Sequence, residues 1–487
     1  MKKMLVNARN AAEVRVAIVT DTKLSGLYVE GDGREAAKGD IYKGQIVRYE
    51  PSLNAYFVAI GQDKNGFLPV HDLNPGYLPE GCDLKNSQLE RGLNLPVQVV
   101  REEKGRKGAL LTMNLSIPGR YLVLMPKQPS LKGISRKIEE SGQRKQLKAT
   151  LAELDLPDNM GLIVRTAGMD RTKTELAKDL SYLLKLYDQF VLNYRSVEAP
   201  AQIFRDSDVV IRALRDYYTP DIDDILVDDA ATAARIEDFI RNIGFSRRRG
   251  LVKLVSEAKP LFSKYELERQ IEAIFEREAP LPSGGYLVIE QTEALVSIDV
   301  NSGQATSGSD IMATALATNL EAAREIARQL VLRDLGGLVV IDFIDMHSRE
   351  NVRAVEKALK EALKPDRAHI VLGRISDFGL LELSRERLAP PLIERSHIAC
   401  PTCAGRGLVP SPEYGAARAI RAMQVSLAKA KEGAGQLNLA AHPELAMELL
   451  NRRRSDLTRL EQDYGISIAI RLDHTQAPGE FKITNIL

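Results

Sequence analysis

Two stretches of this chain decide its fold: LVSIDVNSG (Leu295–Gly303) and GGLVVIDFIDM (Gly336–Met346). Each is a run of branched apolar residues that ends abruptly in aspartate. Such runs predict strands that are buried on both faces of a sheet. A carboxylate at the end of a buried strand is costly unless it is hydrogen-bonded, solvated or bound to a cation. The two stretches therefore indicate an α/β sheet with a functional edge.

Three side chains in these stretches have the oxygen chemistry of a hard-metal site: Asp299, Asn301 and Asp342. Asn301 follows Asp299 by two residues, so both side chains leave the same face of their strand. Mg²⁺ keeps several waters and takes one or two carboxylates, which suits this set. A single aspartate at a strand end is more often a helix cap or a turn former, and Asp345 and Asp310 fit that interpretation. Two aspartates on adjacent apolar strands are a stronger signal of a metal site.

A long helix is predicted between the two strands. Ser309 or Asp310 is placed to cap its start, residues 311–335 carry apolar side chains at helical spacing, and Gly336-Gly337 ends it. The order strand, helix, strand predicts a crossover connection between two neighbouring parallel strands. Both aspartates then lie at the carboxyl ends of their strands, where open α/β sheets place their ligands.

Size and composition are those of an ordinary soluble globular protein with several domains. The chain has 487 residues, of which 44% are hydrophobic and 27% charged, and its formal net charge is +1. No apolar run has a membrane-spanning length, and the start, MKKMLVNARNAAEV, lacks a signal-peptide core, so we expect a cytoplasmic protein. Three cysteines are too few for a disulfide scaffold, which agrees with that expectation. A protein that only coats nucleic acid is usually more basic, so any RNA-binding surface must be local.

Short strands separated by Gly, Pro and Asn turns predict a small closed barrel over residues 36–120. Tyr56, Phe57 and Phe67 lie in it, with a cationic cluster that includes Lys107. Aromatic residues interleaved with cations suit single-stranded RNA, but aromatic residues can equally form a barrel core. Tyr56 and Phe57 are adjacent and point to opposite faces, so at most one of them faces outward.

The CPTC stretch, with Cys400 and Cys403, has the spacing of one half of a zinc site. A closed structural site needs four ligands. Cys82 is far away in the barrel region, and His397 is more simply a neighbouring polar residue. Three interpretations stay open: a redox dithiol, a vestigial pair, or half of a site shared by two chains. A redox pair is expected to follow a strand and open a helix in a thioredoxin-like unit, which we do not expect here.

Together with CPTCAGRG (Cys400–Gly407), the two aspartate motifs closely resemble the ribonuclease E/G family of bacterial endoribonucleases. The resemblance runs along nearly all of the chain, so it is highly specific. Further motifs that carry it are MLVNA (Met4–Ala8), DIYKG (Asp40–Gly44), GFLPV (Gly66–Val70), YLVLMP (Tyr121–Pro126), GISRKIE (Gly133–Glu139), MGLIVRTAG (Met160–Gly168) and LPSGG (Leu281–Gly285).

The resemblance implies a multidomain α/β and α+β fold, either as a short G-type chain or as the catalytic half of a longer E-type chain. The implied parts are a non-catalytic ribonuclease-H-like subdomain (1–35 and 210–275), an OB-fold RNA-binding barrel inserted in it (36–120), a 5′-phosphate sensor region (121–209), a deoxyribonuclease-I-like catalytic domain (276–396), a zinc-link (397–411) and a small α+β assembly domain (412–487).

The function that the resemblance implies is a Mg²⁺-dependent, single-strand-specific endoribonuclease. It would cut AU-rich sites in rRNA and tRNA processing and in mRNA decay, respond to a 5′-monophosphate, and leave 5′-phosphate and 3′-hydroxyl ends. Asp299 and Asp342 would hold the metal, with Asn301 as an orienting group. Cys400 and Cys403 would share one structural Zn²⁺ between two chains, which gives a homodimer and, through the small domain, a homotetramer.

The resemblance also implies contacts to the RNA chain. Phe57 and Phe67 would stack on bases, and Lys107 and Arg101 would contact the backbone. The family tends to carry lysine at the position of Arg101, so the charge is kept while the contact geometry changes.

A pocket for the RNA 5′-monophosphate is implied at VRTAG, where Arg165 and Thr166 follow an apolar strand. The residues alone favour an ordinary surface arginine, and only the resemblance makes Arg165 a phosphate ligand. Val123 would line the pocket and Arg136 would support it. His369 stands where relatives can carry arginine, a departure that weakens the contribution expected from that position.

Two functions from other classes stay open. One is a non-catalytic RNA-binding or ribosome-assembly factor, which loss of the metal aspartates would favour, but both aspartates are present. The other is an enzyme that acts on DNA, which the barrel does not exclude but for which a pocket for an RNA terminus gives no reason.

Overall fold

The computed structural model describes the whole chain except residues 11, 32–37, 80–88, 103–106, 136, 137, 139, 170, 207, 244–249, 258, 304–310, 430–434 and 487. The predicted pocket residue Arg136, the predicted helix caps Ser309 and Asp310, and Cys82 lie outside the described residues. The chain forms two compact units, Met1–Pro391 and Leu392–Leu487. No helix of the described ranges combines the length and apolarity needed to cross a bilayer.

The strands are numbered in chain order. They are β1 (Lys2–Asn7), β2 (Glu13–Thr20), β3 (Lys23–Gly31), β4 (Ile41–Glu50), β5 (Ala55–Ala59), β6 (Gly66–Pro69), β7 (Asn94–Arg101), β8 (Leu110–Thr112), β9 (Ile117–Pro118), β10 (Leu122–Pro126), β11 (Lys132–Ile134), β12 (Met160–Val164), β13 (Ala201–Phe204), β14 (Ile222–Val227), β15 (Val252–Leu254), β16 (Glu278–Pro280), β17 (Tyr286–Gln291), β18 (Leu295–Asn301), β19 (Gly337–Asp342), β20 (Ile370–Ile375), β21 (Leu380–Arg385), β22 (Gln436–Ala441), β23 (Ser467–Leu472) and β24 (Phe481–Ile486).

The α-helices are numbered in the same way. They are α1 (Ser141–Ala152), α2 (Lys173–Ser196), α3 (Val209–Tyr217), α4 (Ala230–Ile243), α5 (Leu261–Lys264), α6 (Leu267–Glu272), α7 (Ile311–Leu332), α8 (Arg349–Leu363), α9 (Leu392–Ser396), α10 (Pro412–Ala428), α11 (Pro443–Asn451) and α12 (Arg454–Tyr464).

The first sheet joins the start of the chain to a segment more than 200 residues later. Its order is β15-β14-β1-β2-β3, with β1 parallel to β14 and antiparallel to β2. Met4 and Val6 of β1 are buried in one core with Ile225 and Val227 of β14. The first strands are therefore part of a sheet that they cannot complete alone.

The barrel is closed by five strands in the order β4-β5-β6-β8-β7, because β7 also pairs with β4. Its interior is filled by apolar side chains such as Val58, Leu68 and Val97. Gly44 is required by this packing, since a Cβ there would lie 2.5 Å from the Val58 side chain. The closed barrel that the turn spacing predicts is thus present.

A sheet of order β16-β17-β18-β19-β21-β20 carries the two aspartate motifs. β18 and β19 are parallel neighbours joined through α7, as predicted. The prediction that both faces of these strands are buried is wrong. Val296, Ile298, Val339 and Ile341 are buried, and the residues between them are exposed or half-buried. The reason is that α7 and α8 pack against each other and contribute to one core, which leaves the other face open.

A small sheet of order β11-β12-β10-β9, with α1 and α2, follows the barrel. The second unit has β22 at the centre of its sheet, parallel to β23 and antiparallel to β24. Its core includes buried residues of α10, α11 and α12. The chain is therefore a multidomain α/β protein, as predicted, while the names of the individual subdomains stay predictions.

Candidate functional site

Asp299 and Asp342 lie side by side on the open face of the sheet. They are register partners on the parallel strands β18 and β19, and both side chains are exposed. Asn301 donates its amide N–H to Asp299 Oδ2 at 2.9 Å, so it orients that carboxylate. The three residues singled out from the sequence therefore lie close together at the carboxyl ends of β18 and β19.

The charges around Asp342 favour a cation. Partial burial, and then the carboxylates of Asp299 and Asp345, raise the pKa of Asp342 above its usual range. Asp345, which the sequence suggests is only a turn former, thus belongs to the electrostatic environment of the pair. Among the described residues no group of three His, Cys, Asp or Glu is arranged for a metal. Two carboxylates and an amide fit Mg²⁺, which keeps several of its waters.

The barrel places two aromatic rings next to each other on β5 and β6. Phe57 and Phe67 are register partners, with ring centroids 6.1 Å apart at 75°. Both are half-buried, whereas Tyr56 is only 3% exposed and its hydroxyl accepts the backbone N–H of Leu89 at 3.1 Å. The prediction that at most one of Tyr56 and Phe57 faces outward is confirmed.

Phe57 and Phe67 form an aromatic platform, and a residue that the sequence does not single out lies against it. The Arg48 guanidinium lies 4.6 Å from the Phe57 ring centroid, and the two residues are register partners on β4 and β5. Arg101 and Lys107 are both exposed. No local pattern identifies Arg48, since its contact depends on the strand register.

A cavity of about 990 Å³ lies where β12 and the following turn approach the segment after α8. Val123, Arg165 and Thr166 line it, as the resemblance implies, and so does His369. Six cationic side chains but only two aspartates are among the residues that line the cavity, which favours an anionic ligand. Thr166 is exposed, and its Oγ1 lies 3.3 Å from Ser135 Oγ.

Arg165 is held in this cavity by two fixed acceptors. Its Nη1 donates to the carbonyl oxygen of Gly119 at 2.6 Å and its Nη2 donates to Asp216 Oδ1 at 2.8 Å. Burial lowers the pKa of Arg165, which nevertheless keeps guanidinium N–H groups beyond these two for a ligand. The side chain is thus pre-oriented at the cavity wall.

Asp216 is the centre of this arrangement, and the sequence does not reveal it. Its carboxylate also pairs with Arg215 Nε at 3.1 Å and Arg367 Nη1 at 3.1 Å. Burial alone would raise the pKa of Asp216, but Arg215, Arg367 and Arg165 hold it well below its ordinary value. One carboxylate therefore organises guanidinium groups from three distant parts of the chain.

The loop that supplies the Gly119 carbonyl is fixed by a buried carboxylate of α2. Asp179 accepts the backbone N–H groups of Arg120, Tyr121 and Leu122 at 3.1, 2.8 and 2.9 Å. Burial raises the pKa of Asp179, although these hydrogen bonds oppose the shift. The position of Arg165 thus depends on residues that no ligand needs to touch.

Replacement of Asp216 by asparagine is expected to destabilise the protein by about 3–5 kcal/mol at neutral pH, because buried guanidinium groups lose their counter-charge. The pKa of Asp216 is lower in the folded protein than in the unfolded chain. Its charge therefore stabilises the fold fully above the unfolded-state pKa of about 4, and this stabilisation is lost as the pH falls further. Urea unfolding should show a smaller difference in the free energy of unfolding between the variant and wild type at pH 3 than at pH 7. Asp155→Asn, at an exposed carboxylate, is the control, and an unchanged difference at pH 3 would contradict this expectation.

Cys400 and Cys403 lie in an irregular turn of the second unit, where Ala404, Gly405 and Gly407 adopt positive φ. Neither cysteine is in a disulfide. Backbone hydrogen bonds from Cys403 and Thr402, and the side chain of Cys403, lower the pKa of the Cys400 thiol. Two adjacent thiols with one favoured as thiolate suit half of a zinc site.

The comparison with known sequences decides the family. The sequence model described as "Ribonuclease E/G family" matches residues 116–388, which is more than half of the chain. The chain belongs to the ribonuclease E/G family. It is 44% identical over 99% of its length to Ribonuclease E of Haemophilus influenzae and 44% identical over 98% to Ribonuclease E of Escherichia coli K12.

Ribonuclease G of Escherichia coli K12 is 35% identical over 84% of this chain and 85% of its own length. The chain spans about half the length of the two ribonuclease E relatives, 52% and 45%. The predicted resemblance to the ribonuclease E/G family is therefore confirmed.

A second family model, "RNase E/G, Thioredoxin-like domain", matches residues 399–486. The expectation that the chain has no thioredoxin-like unit is therefore wrong. The cysteine pair nevertheless precedes β22, the first strand of that unit's sheet, and α10 begins nine residues after Cys403. The two thiols thus do not follow a strand and open a helix, which is where a redox pair is expected.

Proposed function

We propose that this chain is an endoribonuclease that cuts single-stranded RNA with the help of Mg²⁺. The observation that carries the proposal is the register pairing of Asp299 and Asp342 on the open face of the sheet, in a chain of the ribonuclease E/G family. Exposed carboxylates whose charges repel each other are suited to a divalent cation rather than to a structural role.

The residues of the site have separable roles in this proposal. Asp299 and Asp342 hold the metal, and Asn301 keeps the Asp299 carboxylate in place through its 2.9 Å hydrogen bond. When bound, Mg²⁺ supplies an activated water and neutralises charge at the scissile phosphate. The products would carry a 5′-phosphate and a 3′-hydroxyl.

The barrel would bind the single strand beside the cut. Phe57 and Phe67 present adjoining rings, and Arg48 lies against one of them. Bases stack on such rings regardless of sequence, while Arg101 and Lys107 neutralise phosphates. A duplex hides its bases, so this platform favours unpaired RNA such as AU-rich segments of mRNA and of rRNA and tRNA precursors.

The cavity around Arg165 would bind the RNA 5′-monophosphate and so stimulate cleavage. Arg165 and Thr166 supply donors, Val123 forms part of the wall, and Arg367 and Lys360 add positive charge. His369 lines the same cavity at the position where relatives can carry arginine.

Matched substrates test the function. A 5′-monophosphorylated single-stranded RNA, the same RNA in a duplex and a single-stranded DNA of equal sequence should be incubated with the protein in Mg²⁺ or EDTA. We expect cleavage of the single-stranded RNA in Mg²⁺ only. Binding of RNA without cleavage would favour the non-catalytic RNA-binding or ribosome-assembly factor, and equal cleavage of the DNA would favour an enzyme that acts on DNA.

We further propose that Cys400 and Cys403 hold one Zn²⁺ together with the same pair of a second chain, and that two such dimers form a tetramer. A closed structural site needs four ligands, and each chain supplies two adjacent thiols. The lowered pKa of Cys400 favours the thiolate that zinc requires.

Cys400→Ser or Cys403→Ser should release the zinc and convert tetramers to dimers, because the metal bridge between chains disappears with its thiolates. Zinc analysis should give one ion per two chains for wild type, and light scattering should report the mass. Cys82→Ser, at the third cysteine, is the matched control. One zinc per chain, or unchanged assembly in both variants, would rule out the shared site.

A further inference from the structure

A second cavity of about 660 Å³ opens at the carboxyl end of β19, beyond Asp342. Arg349 and Arg353 of α8 line it, together with Arg374 near the end of β20. None of these three guanidinium groups forms an ion pair or a hydrogen bond with a described residue, unlike Arg165, Arg215 and Arg367 in the larger cavity. Guanidinium groups without a partner in the described part of the chain can bind phosphate oxygens through their N–H donors.

Three carboxylates also line the wall, and among the described residues none of them forms an ion pair with the three arginines. Glu356 accepts the backbone N–H of Ile375 at 2.8 Å. Asp345 lies in the loop between β19 and α8. The third, Asp377, is in the turn between β20 and β21. The arginines therefore remain available to a ligand.

That turn presents an exposed aromatic ring at the rim of the cavity. Phe378 is 88% exposed, and its neighbours Asp377 and Gly379 line the cavity. The turn is held by hydrogen bonds from Gly379 N to Ser376 O at 3.0 Å and from Phe378 N to the Ser376 hydroxyl at 3.3 Å. The turn therefore holds the Phe378 ring in a position where it offers a flat apolar face to a base.

The rim lies beside the candidate catalytic carboxylates. Asp342 is the register partner of Leu380, which is two residues after Phe378. A Cβ built on Gly379 would lie 3.6 Å from Asp345 Oδ1. A strand of RNA positioned for cleavage at Asp299 and Asp342 therefore passes close to Phe378.

We propose that Phe378 and the three arginines form a second binding site for single-stranded RNA, separate from the barrel. One base flanking the scissile phosphate stacks on Phe378, and Arg349, Arg353 and Arg374 contact backbone phosphates of the adjoining nucleotides. Stacking on a ring combined with cations along the backbone is how single strands are bound without sequence preference. The inference rests on the proposed cleavage at Asp299 and Asp342 and adds the surface that positions the strand there.

The test uses the full-length chain with Asp299→Asn, so that RNA is bound but not cut. Single-stranded 5′-hydroxyl RNAs carrying 2-aminopurine at successive positions report stacking by loss of fluorescence. We expect one position to be quenched, and Phe378→Ala and Phe378→Leu to abolish that quenching, while Phe378→Trp restores it. The Kd should rise about five- to 150-fold in the alanine variant, the range that stacking of one base gives.

The arginines are tested by salt dependence. For single-stranded nucleic acid the slope of log Kd against log salt changes by about 0.7 for each phosphate that the protein no longer neutralises. Arg349→Ala, Arg353→Ala and Arg374→Ala combined should therefore lower the slope by about 2. Leu192→Ala and Arg195→Ala on α2, which truncate an exposed leucine and an exposed arginine, are the matched controls and should change neither slope nor quenching.

The possible results separate this inference from the proposed function. Quenching that persists in Phe378→Ala overturns the second site, even if wild-type protein cuts RNA. A change of oligomeric mass in Phe378→Ala with unchanged quenching also overturns it, since the ring would then be a contact between chains. Quenching that depends on Phe378 in a protein whose wild-type form cuts no RNA supports the site and refutes the nuclease.

Discussion

Asp299→Asn and Asp342→Asn are each expected to lower kcat for single-stranded RNA by about 10³-fold or more, since charge stabilisation by a metal supplies several kcal/mol. A carboxamide has the shape of the carboxylate but lacks the charge that Mg²⁺ requires. Folding and RNA affinity in EDTA should be largely unchanged, because both side chains lie on the open face outside the core. Single-turnover cleavage and fluorescence anisotropy measure the two quantities.

The same variants are also expected to differ from wild type in thermal stability. The pKa of Asp342 is raised, so its charged form is disfavoured in the folded protein and costs stability once the pH exceeds that pKa. In EDTA at pH 7, Asp342→Asn should therefore have a Tm equal to or above that of wild type. Mg²⁺ should raise the Tm of wild type but not of either variant. Ser297→Ala, on the same face of β18, is the control, and near-normal turnover in either asparagine variant would show that the metal lies elsewhere.

Arg165→Ala is expected to slow cleavage of 5′-monophosphorylated RNA about ten- to a hundredfold more than cleavage of 5′-hydroxyl RNA, because a charge-assisted hydrogen bond is worth roughly 1.5–3 kcal/mol. One substrate offers a terminal phosphate to the guanidinium, and the other offers nothing. Parallel kcat/KM measurements on the two RNAs give the ratio. Thr166→Val should reduce the ratio less, since it removes one hydroxyl and no charge.

The ratio of the two kcat/KM values does not depend on how much of the protein is folded, so it separates phosphate binding from the structural role of Arg165. The side chain also bonds to Gly119 and Asp216, so its removal loosens the cavity wall. A loss of folded protein lowers both rates alike and leaves the ratio unchanged. An equal loss on both RNAs would mean that Arg165 is not a sensor of the 5′ end but a general contact.

Local sequence patterns were sufficient to predict the strands that carry Asp299 and Asp342. Apolar runs, a connecting helix and the crossover rule predict adjacent parallel strands, and the two residues are register partners. The same runs suggest burial on both faces, which is wrong, because hydrophobicity does not tell on which side helices pack. Leu338 and Val340 are apolar yet lie on the open face.

Contacts between distant segments were not predictable in the same way. Asp216 meets Arg165 and Arg367 only after three parts of the chain have come together. Arg48 reaches Phe57 through a bulged register, and a shift of one residue would send it to the other face. Phe378 is unremarkable in the sequence, since only its exposure distinguishes it from a core residue.

The parallel pairing of β1 with β14 has a consequence for the time course of synthesis. Met4 is the register partner of Ile225, so the ribosome must add about 220 residues before β1, which pairs with β2 on its other edge, can pair with β14. At 5–20 residues per second this takes roughly 10–45 s. During that delay one edge of β1 keeps unpaired backbone N–H and C=O groups beside apolar side chains, the kind of edge on which nascent chains aggregate. The barrel, whose strands all lie between residues 41 and 112, is by contrast complete long before.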